Sequence, residues 1–286
     1  MGVIHAQNPF FKVVDYRGAF APAPENPWTV GWTNWDPQNT EYGNPTVTVS
    51  SAITSNTTWT SNNVYLIQGL IYVKNGATLT IQPGTKILGD KSVANSSLVI
   101  TKGSKINAVG TSSNPIVFTS NQPAGSRALG DWGGLVILGK GTLNRPGGTA
   151  NIEGIAASDD TQYGGGSNPD NEDNSGNLKY VRIEYGGYVF AQDQEINGLT
   201  LGAVGRNTII DYVQCSFIND DAFEWFGGTV NASHLVSYRC LDDDFDTDFG
   251  YSGSVQFALS VRDPQISDQS SGSTSEGFES DTDGAA

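Results

Sequence analysis

Carboxylates concentrate in the C-terminal part of the chain, between residues 219 and 283. Three segments share one pattern, in which a phenylalanine is followed directly by an acid: Phe223–Phe226, Phe245–Asp248 and 278–281. From residue 223 to 245 the offset is 22, and from 245 to 278 it is 33. These offsets fit one turn of a repeating coil and one turn plus a loop. We therefore expect the three phenylalanines to stack inward and Glu224, Asp246 and Glu279 to line up on one outer face.

Such an array places like charges close together. Adjacent strands of a parallel sheet are about 4.8 Å apart, and two carboxylates about 4 Å apart repel by about 4 kcal/mol at an effective dielectric of about 20. That repulsion is large against a typical free energy of unfolding of about 5–15 kcal/mol. It must be offset by raised pKa values, outward splaying, arginine partners or bound cations.

Dense oxygen ligands favour Ca²⁺, which takes about 6–8 oxygens, so the sequence predicts a Ca²⁺ site. It is not an EF-hand loop, because the required glycine and terminal glutamate are missing. Two alternatives stay open: acids in solvated turns that confer only solubility, and catalytic carboxylates. The predicted metal ligands are Asp220, Asp221, Glu224, Asp242, Asp243, Asp244, Asp246, Asp248, Glu279 and Asp281.

Four side chains near these acids are candidates for binding a substrate. Trp225 and Tyr251 could stack on sugar rings, and the alternative for both is packing between coils. Arg239 and Arg262 could clamp a uronate or act as a base. The alternative for the two arginines is pairing with neighbouring acids.

The elements that position these residues are short strands. Apolar runs bounded by Gly, Asn, Asp or Pro recur along most of the chain and predict β-structure. Leu79, Leu98, Ile116 and Leu135 are separated by 19, 18 and 19 residues. A repeat of about 20 residues without helices is typical of a right-handed parallel β-helix, an all-β solenoid. A β-sandwich is the alternative, but hairpin turns of the Asn-Gly type are scarce.

Three regions depart from this rhythm. Residues 1–60 are irregular and rich in tryptophan, and we predict that they cap the first coil. Residues 61–286 would form the β-helix, with a loop rich in Gly, Asn, Asp and Ser inserted at about 156–177. The C-terminal segment has no evident cap, so the last coil would be open or continued by further coils. Cys215 and Cys240 form either one disulfide or two buried thiols.

The charge balance excludes several classes of partner. The chain has 15 Lys and Arg against 30 Asp and Glu, a formal net charge of −15. It therefore lacks the positive potential that nucleic acids and anionic membranes require, and it favours cations, cationic partners or neutral glycans. No apolar stretch is long enough to span a bilayer.

Several strings have a distinctive composition: GDWGG at 130–134, EINGLTL at 195–201, DDAFEWFGGTVN at 220–231 and DDDFDTD at 242–248. Together they resemble a large group of secreted or surface-anchored proteins of Gram-negative bacteria, the right-handed parallel β-helix repeat proteins. The resemblance covers the chain from about residue 60 to its C-terminus. It implies an exported protein, located outside the cell or on its outer surface.

These observations lead to an expected function. We expect a cell-surface or extracellular β-helix, stabilised by Ca²⁺, with a non-catalytic structural, adhesive or glycan-binding role. Its partner would be a glycan or another surface component. The alternative is a calcium-dependent polysaccharide lyase or a related glycan-active enzyme, because parallel β-helices often host such sites. An open metal site beside an exposed arginine in a groove would favour the enzyme.

Overall fold

The chain folds as a parallel β-helix. The computed structural model describes residues 8–191, 194–268 and 275–281, and predictions that fall on other residues lie outside this description. Within it, the two long sheets contain only parallel strand pairs, which confirms the predicted all-β solenoid. The helical elements described are two short 3₁₀ turns, Pro37–Asn39 and Pro146–Gly148. No helix of the described residues is long and apolar enough to cross a membrane.

In chain order the strands are β1 (Val47–Val49), β2 (Thr57–Trp59), β3 (Val64–Ile67), β4 (Leu70–Val73), β5 (Thr78–Ile81), β6 (Lys86–Gly89), β7 (Ser97–Ile100), β8 (Lys105–Val109), β9 (Ile116–Ser120), β10 (Leu135–Leu138), β11 (Ala150–Asn151), β12 (Gln162–Tyr163), β13 (Gly176–Glu184), β14 (Val189–Ala191), β15 (Gln194–Glu195), β16 (Leu199–Gly202), β17 (Ile209–Ser216), β18 (Phe223–Phe226), β19 (Ala232–Tyr238), β20 (Phe245–Asp248), β21 (Val255–Val261) and β22 (Glu279–Asp281).

Each coil of the solenoid has three faces. β5, β6 and β7 form one coil, and β8, β9 and β10 stack on them strand by strand. From β13 onward the first two faces are fused into one long strand, because β13 pairs with both β8 and β9. The third face is a seven-stranded sheet in the order β22-β20-β18-β16-β10-β7-β4, and it carries the acidic repeat.

An aromatic side chain stands at the corner of each fused strand. Tyr180, Tyr212, His234 and Phe257 have φ angles of 50°, 57°, 54° and 62°, and the strand pairing skips them. Their rings stack in sequence with centroids 4.5, 4.1 and 4.9 Å apart. A left-handed residue costs about 1–2 kcal/mol and an aromatic pair contributes about 0.5–1.5 kcal/mol. The stacked rings therefore offset much of the strain at these corners.

The stacking register differs from the one that the 18–19-residue spacing predicted. Leu79 pairs with Ile106 and Leu98 pairs with Leu135, so these coils are 27 and 37 residues long (79 to 106 and 98 to 135). The predicted spacing joined strands on different faces, since β5 and β7 belong to the same coil. The coil from β18 to β20 is 22 residues long, as the acidic repeat predicted.

The interior is a continuous column of apolar side chains. On the seven-stranded sheet the successive inward partners are Ile71, Leu98, Leu135, Leu199, Phe223 and Phe245. All are buried, and burying each contributes about 1.5–3 kcal/mol. Cys215 and Cys240 are buried free thiols, so the disulfide alternative is wrong.

Residues 8–45, here called the strap, run along the outside of the solenoid. The backbone N–H of Lys12 donates to Gln256 in β21, and the hydroxyl of Tyr42 donates to Glu184 in β13, each at 2.9 Å. The strap thus contacts middle and late coils in addition to Val64 and Leu66 of β3, so its contacts are not confined to the first coil, where a cap was predicted. The segment after the strap already supplies strands β1 and β2 to the solenoid.

Residues 139–175, here called the cover, are inserted between β10 and β13. The cover buries Ile152 and Tyr163 in an apolar cluster with Val136 on the outer face of the seven-stranded sheet. The predicted loop at 156–177 is therefore exposed only in part. The insertion is longer than predicted because it needs enough chain to fold back over an apolar sheet face.

Candidate metal centre

The outer face of the seven-stranded sheet changes from apolar to acidic along the solenoid. The outward position of Val136 in β10 becomes Thr200 in β16, then Glu224, Asp246 and Glu279 in the following strands. The predicted alignment of the three acids is confirmed. It arises because alternate residues of a strand face opposite sides of the sheet, so acids repeated at the coil spacing share one side.

The accompanying phenylalanine stack is confirmed for two of its three members. Phe223 and Phe245 stack with ring centroids 5.6 Å apart. Phe278 is 64% exposed, so the prediction that it joins the stack is wrong. Pairing between β20 and β22 begins at Asp246 and Glu279, which leaves Phe278 before the first paired residue.

Three of these acids are enclosed, whereas Glu279 and Asp281 in β22 are exposed. Glu224 is 6% exposed, Asp246 is 7% exposed, and Asp243 in the turn before β20 is 1% exposed. The alternative that the acids are solvated is therefore wrong for these three residues. Burial disfavours the charged form of a carboxyl group, so each of them needs a proton, a hydrogen-bond donor or a cation.

The turns before β16, β18 and β20 add a second tier of polar groups. Asp221 Oδ1 accepts the backbone N–H of Asp243 at 2.8 Å, and Asp243 Oδ1 accepts that of Glu276 at 2.5 Å. Asn197 donates its side-chain N–H to Glu224 Oε2. These bonds orient the carboxylates, and each one satisfies a single oxygen.

Other enclosed oxygens of this cluster have no hydrogen-bond donor. They are Asn197 Oδ1, Asp243 Oδ2, Asp246 Oδ1 and Asp248 Oδ1. Buried polar atoms are almost always paired, and leaving one unpaired costs about 1–3 kcal/mol. Four such oxygens in one cluster call for protons shared between the carboxyl groups or for a cation.

Three groups of carboxylate oxygens are close enough to share a metal ion, with the atoms of each group within 4.8 Å of one another. The groups are Asp220, Asp221 and Asp242; Asp221, Glu224 and Asp246; and Asp243, Asp246 and Glu279. They contain seven of the ten predicted ligands. Asp248 and Asp281 pair with each other two residues further along their strands, outside these groups.

Burial changes the acid–base chemistry of the cluster. Burial, and then repulsion by neighbouring acids, raises the pKa of Asp221 and Glu224 well above the ordinary carboxyl range, and Asp220 is affected in the same way. Burial also raises the pKa of Asp246 to about 6 and that of Asp243 to about 8. Without a cation the cluster therefore holds protons near neutral pH, and a bound cation would displace them.

A groove lies beside the cluster, where the cover meets the acidic end of the sheet. It encloses about 460 Å³, and Arg145, Glu153, Tyr163 and Phe249 are among the residues that line it. The guanidinium of Arg145 stands 4.4 Å from the ring centroid of Phe249. The groove thus presents the positively charged guanidinium of Arg145, the carboxyl group of Glu153 and two aromatic rings next to the acids.

Glu153 is a member of the acidic site that the sequence analysis missed. Burial, followed by the charges of Glu195, Asp248 and Asp246, raises its pKa to about 8. It comes from the cover, which has no coil repeat, so no periodic signal in the sequence connects it to the other acids. Arg145 was missed for the same reason.

Asp244 and Arg262 lie apart from this cluster. The buried Asp244 carboxylate accepts hydrogen bonds from Ser237 at 2.5 Å and from Ser260, and it pairs with Arg262 Nη1 at 3.2 Å. Arg262 also donates to three backbone carbonyl groups. These bonds take up the polar atoms of both side chains, so the two residues form a structural ion pair. Asp244 is therefore not placed to act as a metal ligand, and Arg262 is not placed to clamp a substrate.

The other three predicted substrate-binding residues are also placed elsewhere. Trp225 is 0% exposed within the core, and an enclosed ring cannot stack on a sugar. Tyr251 donates its hydroxyl to Val230 O at 2.8 Å, and Arg239 pairs with Asp263 at 2.8 Å. The described lining of the groove includes none of the three.

Comparison with known proteins adds one family match. Residues 51–285 match a family model described as a pectate-lyase-like beta helix domain. No curated protein and no solved structure matches the chain. The matched range contains the acid cluster, the cover and the groove, and it excludes the strap.

Proposed function

Because the chain belongs to the family of pectate-lyase-like β-helix domains, we propose that it is an extracellular glycan-binding protein whose acidic outer face holds Ca²⁺. The cation stabilises the late coils and shapes the adjoining groove. A glycan or another surface component is the partner. The role is structural or adhesive.

The observation that carries this proposal is the set of enclosed oxygens without donors, Asp243 Oδ2 and Asp246 Oδ1 foremost. A proton neutralises one carboxylate and satisfies one acceptor. Ca²⁺ neutralises two charges and accepts about 6–8 oxygens in flexible geometry, whereas Mg²⁺ demands a near-ideal octahedron and keeps several waters. An irregular cluster of carboxylates on neighbouring coils fits Ca²⁺ better.

The groove supports the glycan partner. Arg145, Asn151, Tyr163 and Phe249 offer polar and aromatic groups side by side in its wall, the mixture that fixes the orientation of a ligand in a concave site. Glu153 connects the groove to the acid cluster, because its pKa responds to Asp246 and Asp248. A cation in the cluster would therefore lie next to a bound sugar.

The test is thermal unfolding after EDTA treatment, followed by addition of Ca²⁺ or Mg²⁺. At a concentration about 100 times the dissociation constant, Ca²⁺ should stabilise the fold by about 2.7 kcal/mol, which raises Tm by roughly 5 °C in a chain of this size. Glu224→Gln should lose most of this rise. Glu172→Gln is the matched control, because Glu172 is 60% exposed and pairs with Arg206 at the surface.

The proposal would be overturned by calorimetry that detects no Ca²⁺ binding at millimolar concentration and by equal melting curves with and without the ion. If Ca²⁺ raised the Tm of Glu224→Gln and of Glu172→Gln equally, the cation would not bind in the acid cluster. A larger response to Mg²⁺ than to Ca²⁺ would contradict the choice of ion.

A second candidate function, a calcium-dependent polysaccharide lyase, is favoured by the position of Arg145 in the groove beside the acids. Such an enzyme uses a cation to neutralise a uronate and a base to remove the adjacent proton. Polyuronates should be screened with Ca²⁺ by the ultraviolet absorbance of the unsaturated product. Activity that Arg145→Gln abolishes would favour the enzyme, and binding without product would favour the glycan-binding protein.

A further inference from the structure

The three carboxylate groups of the metal centre are not separate. Asp221 belongs to the first and second groups, and Asp246 belongs to the second and third. The groups therefore form one continuous row, in which two shared carboxylates link three positions. The row begins in the turns before β18 and β20 and continues onto the outer faces of β18, β20 and β22.

The spacing of the solenoid suits a row of linked ions. Neighbouring strands lie about 4.8 Å apart, and two metal ions bridged by shared ligands lie about 3.5–4 Å apart. A carboxylate has two oxygens with about four lone pairs between them, so it can bind one ion with each oxygen or two ions through a single oxygen. Asp246 sits between Glu224 and Glu279 in register, so it can reach an ion on either side.

Unpartnered oxygens lie along the row. Asp246 Oδ1 and Asp243 Oδ2 have no hydrogen-bond donor, and their residues are 7% and 1% exposed. Asp243 belongs to the third group and Asp246 to the second and third. A single ion in the second group would leave Asp243 Oδ2 without a partner.

Charge gives the number of ions. Seven carboxylates form the row: Asp220, Asp221, Glu224, Asp242, Asp243, Asp246 and Glu279. If all seven are ionised, one divalent cation balances two of the seven charges, and like charges at about 4 Å repel by about 4 kcal/mol at an effective dielectric of about 20. Three divalent cations carry six positive charges and balance the row almost completely.

We propose that the acid cluster binds a row of three divalent cations, in which Asp221 and Asp246 are bridging ligands between successive ions. This inference rests on the proposed function, because it requires that the cluster binds Ca²⁺ at all. It adds the number of ions and the order in which carboxylates share them. The bound ions would connect three consecutive coils, because their ligands lie on or directly before β18, β20 and β22.

The number of ions is measured by equilibrium dialysis against Ca²⁺ with elemental analysis, and independently by native mass spectrometry. Wild type should bind three ions. Glu279→Gln removes a ligand of the third group alone and should bind two. Asp221→Asn and Asp246→Asn each remove a ligand of two groups and should bind one. Glu172→Gln, at the surface, should bind three.

The outcomes separate this inference from the proposed function. No bound Ca²⁺ in wild type overturns both. One or two bound ions in wild type overturn the row of three and leave the proposed function intact. Loss of no more than one ion in both Asp221→Asn and Asp246→Asn overturns the bridging roles. If either variant fails to fold by circular dichroism, wild type and Glu279→Gln still decide between three ions and one.

Discussion

At the scale of single residues, the site is built from one recurrent pair of positions. An inward aromatic ring anchors the coil, and the acid that follows it points outward: Phe223 with Glu224 and Phe245 with Asp246. The ring supplies burial energy that a coil rich in carboxylates otherwise lacks. Stability of the late coils therefore depends on the rings, and chemistry depends on the acids.

Replacement of Phe223 tests the first half of this division. Phe223→Ala should lower the free energy of unfolding by about 3–5 kcal/mol, because the ring is 0% exposed and stacks on Phe245. Phe278→Ala should cost less than about 0.5 kcal/mol, because that ring is 64% exposed. Urea unfolding of both variants measures the difference. Equal costs would contradict the register of β20 and β22.

Residue-level prediction succeeded where a short repeat was intact. The offsets of 22 and 33 residues were sufficient to align Glu224, Asp246 and Glu279, since strand alternation does the rest. Burial was not predictable from the same pattern. Whether an outward acid meets water or the cover depends on a segment elsewhere in the chain, and Glu153 is brought into the site from there.

At the scale of elements, the cover and the strap hide faces that a bare solenoid would expose. Both are held by contacts between residues far apart in the sequence, such as the ion pair of Lys74 with Asp160 at 2.6 Å and the bond of Tyr42 to Glu184. Neither segment has strand or helix periodicity, so sequence patterns could not show where they dock. This is why a cap and an exposed loop were predicted instead.

Limited proteolysis tests the packing of the cover. Chymotrypsin should not cut the native protein at Tyr163, which is 1% exposed, whereas it should cut near Phe190, which is 47% exposed in the β14–β15 hairpin. Both sites lie in one chain, so each is the control for the other. Early cleavage at Tyr163, located by mass spectrometry of the fragments, would show that the cover does not pack on the sheet.

Tryptophan substitutions test the strap. Trp32 is 1% exposed and its ring contacts Tyr180 and Tyr212 with centroids 6.0 and 5.8 Å away. Trp32→Ala should therefore cost about 3–5 kcal/mol in urea unfolding. Trp35→Ala should cost about 0.5–1.5 kcal/mol, because Trp35 is 42% exposed and contacts Tyr238 alone among the described rings. A negligible loss in Trp32→Ala would mean that the strap is detached in solution.

At the scale of the whole molecule, the solenoid concentrates an excess of acid at one end. The formal net charge is −15, and the outer columns of the seven-stranded sheet turn acidic only in its last strands. Stacking amplifies the effect, because every coil repeats the same position about 4.8 Å further along. The fold class was predictable from short strands and turns, but the coil length was not, since strands of one coil are also evenly spaced.

The pH dependence of stability is the consequence for the molecule as a whole. In the cation-free protein the folded-state pKa values of Asp246, Asp248 and Asp243 are about 6, 7 and 8, against about 3.9 for an unfolded aspartate. The folded state therefore binds more protons than the unfolded state between about pH 4 and pH 8. Its free energy of unfolding should fall as the pH rises through this window, by up to about 1.4 kcal/mol per pH unit for each linked proton.

Saturating Ca²⁺ should remove the part of this slope that comes from Asp246 and Asp243, because the ion takes the place of their protons and holds these carboxylates in their charged form. The measurement is the urea midpoint from pH 4 to pH 9, once with EDTA and once with Ca²⁺. With EDTA the midpoint should fall toward pH 8, and with Ca²⁺ it should fall less, because the contribution of Asp248 remains. Asp248→Asn should reduce the EDTA slope around pH 7. A midpoint that rises with pH in EDTA would show that the carboxylates are stabilised as anions without a cation, by donors from the protein itself.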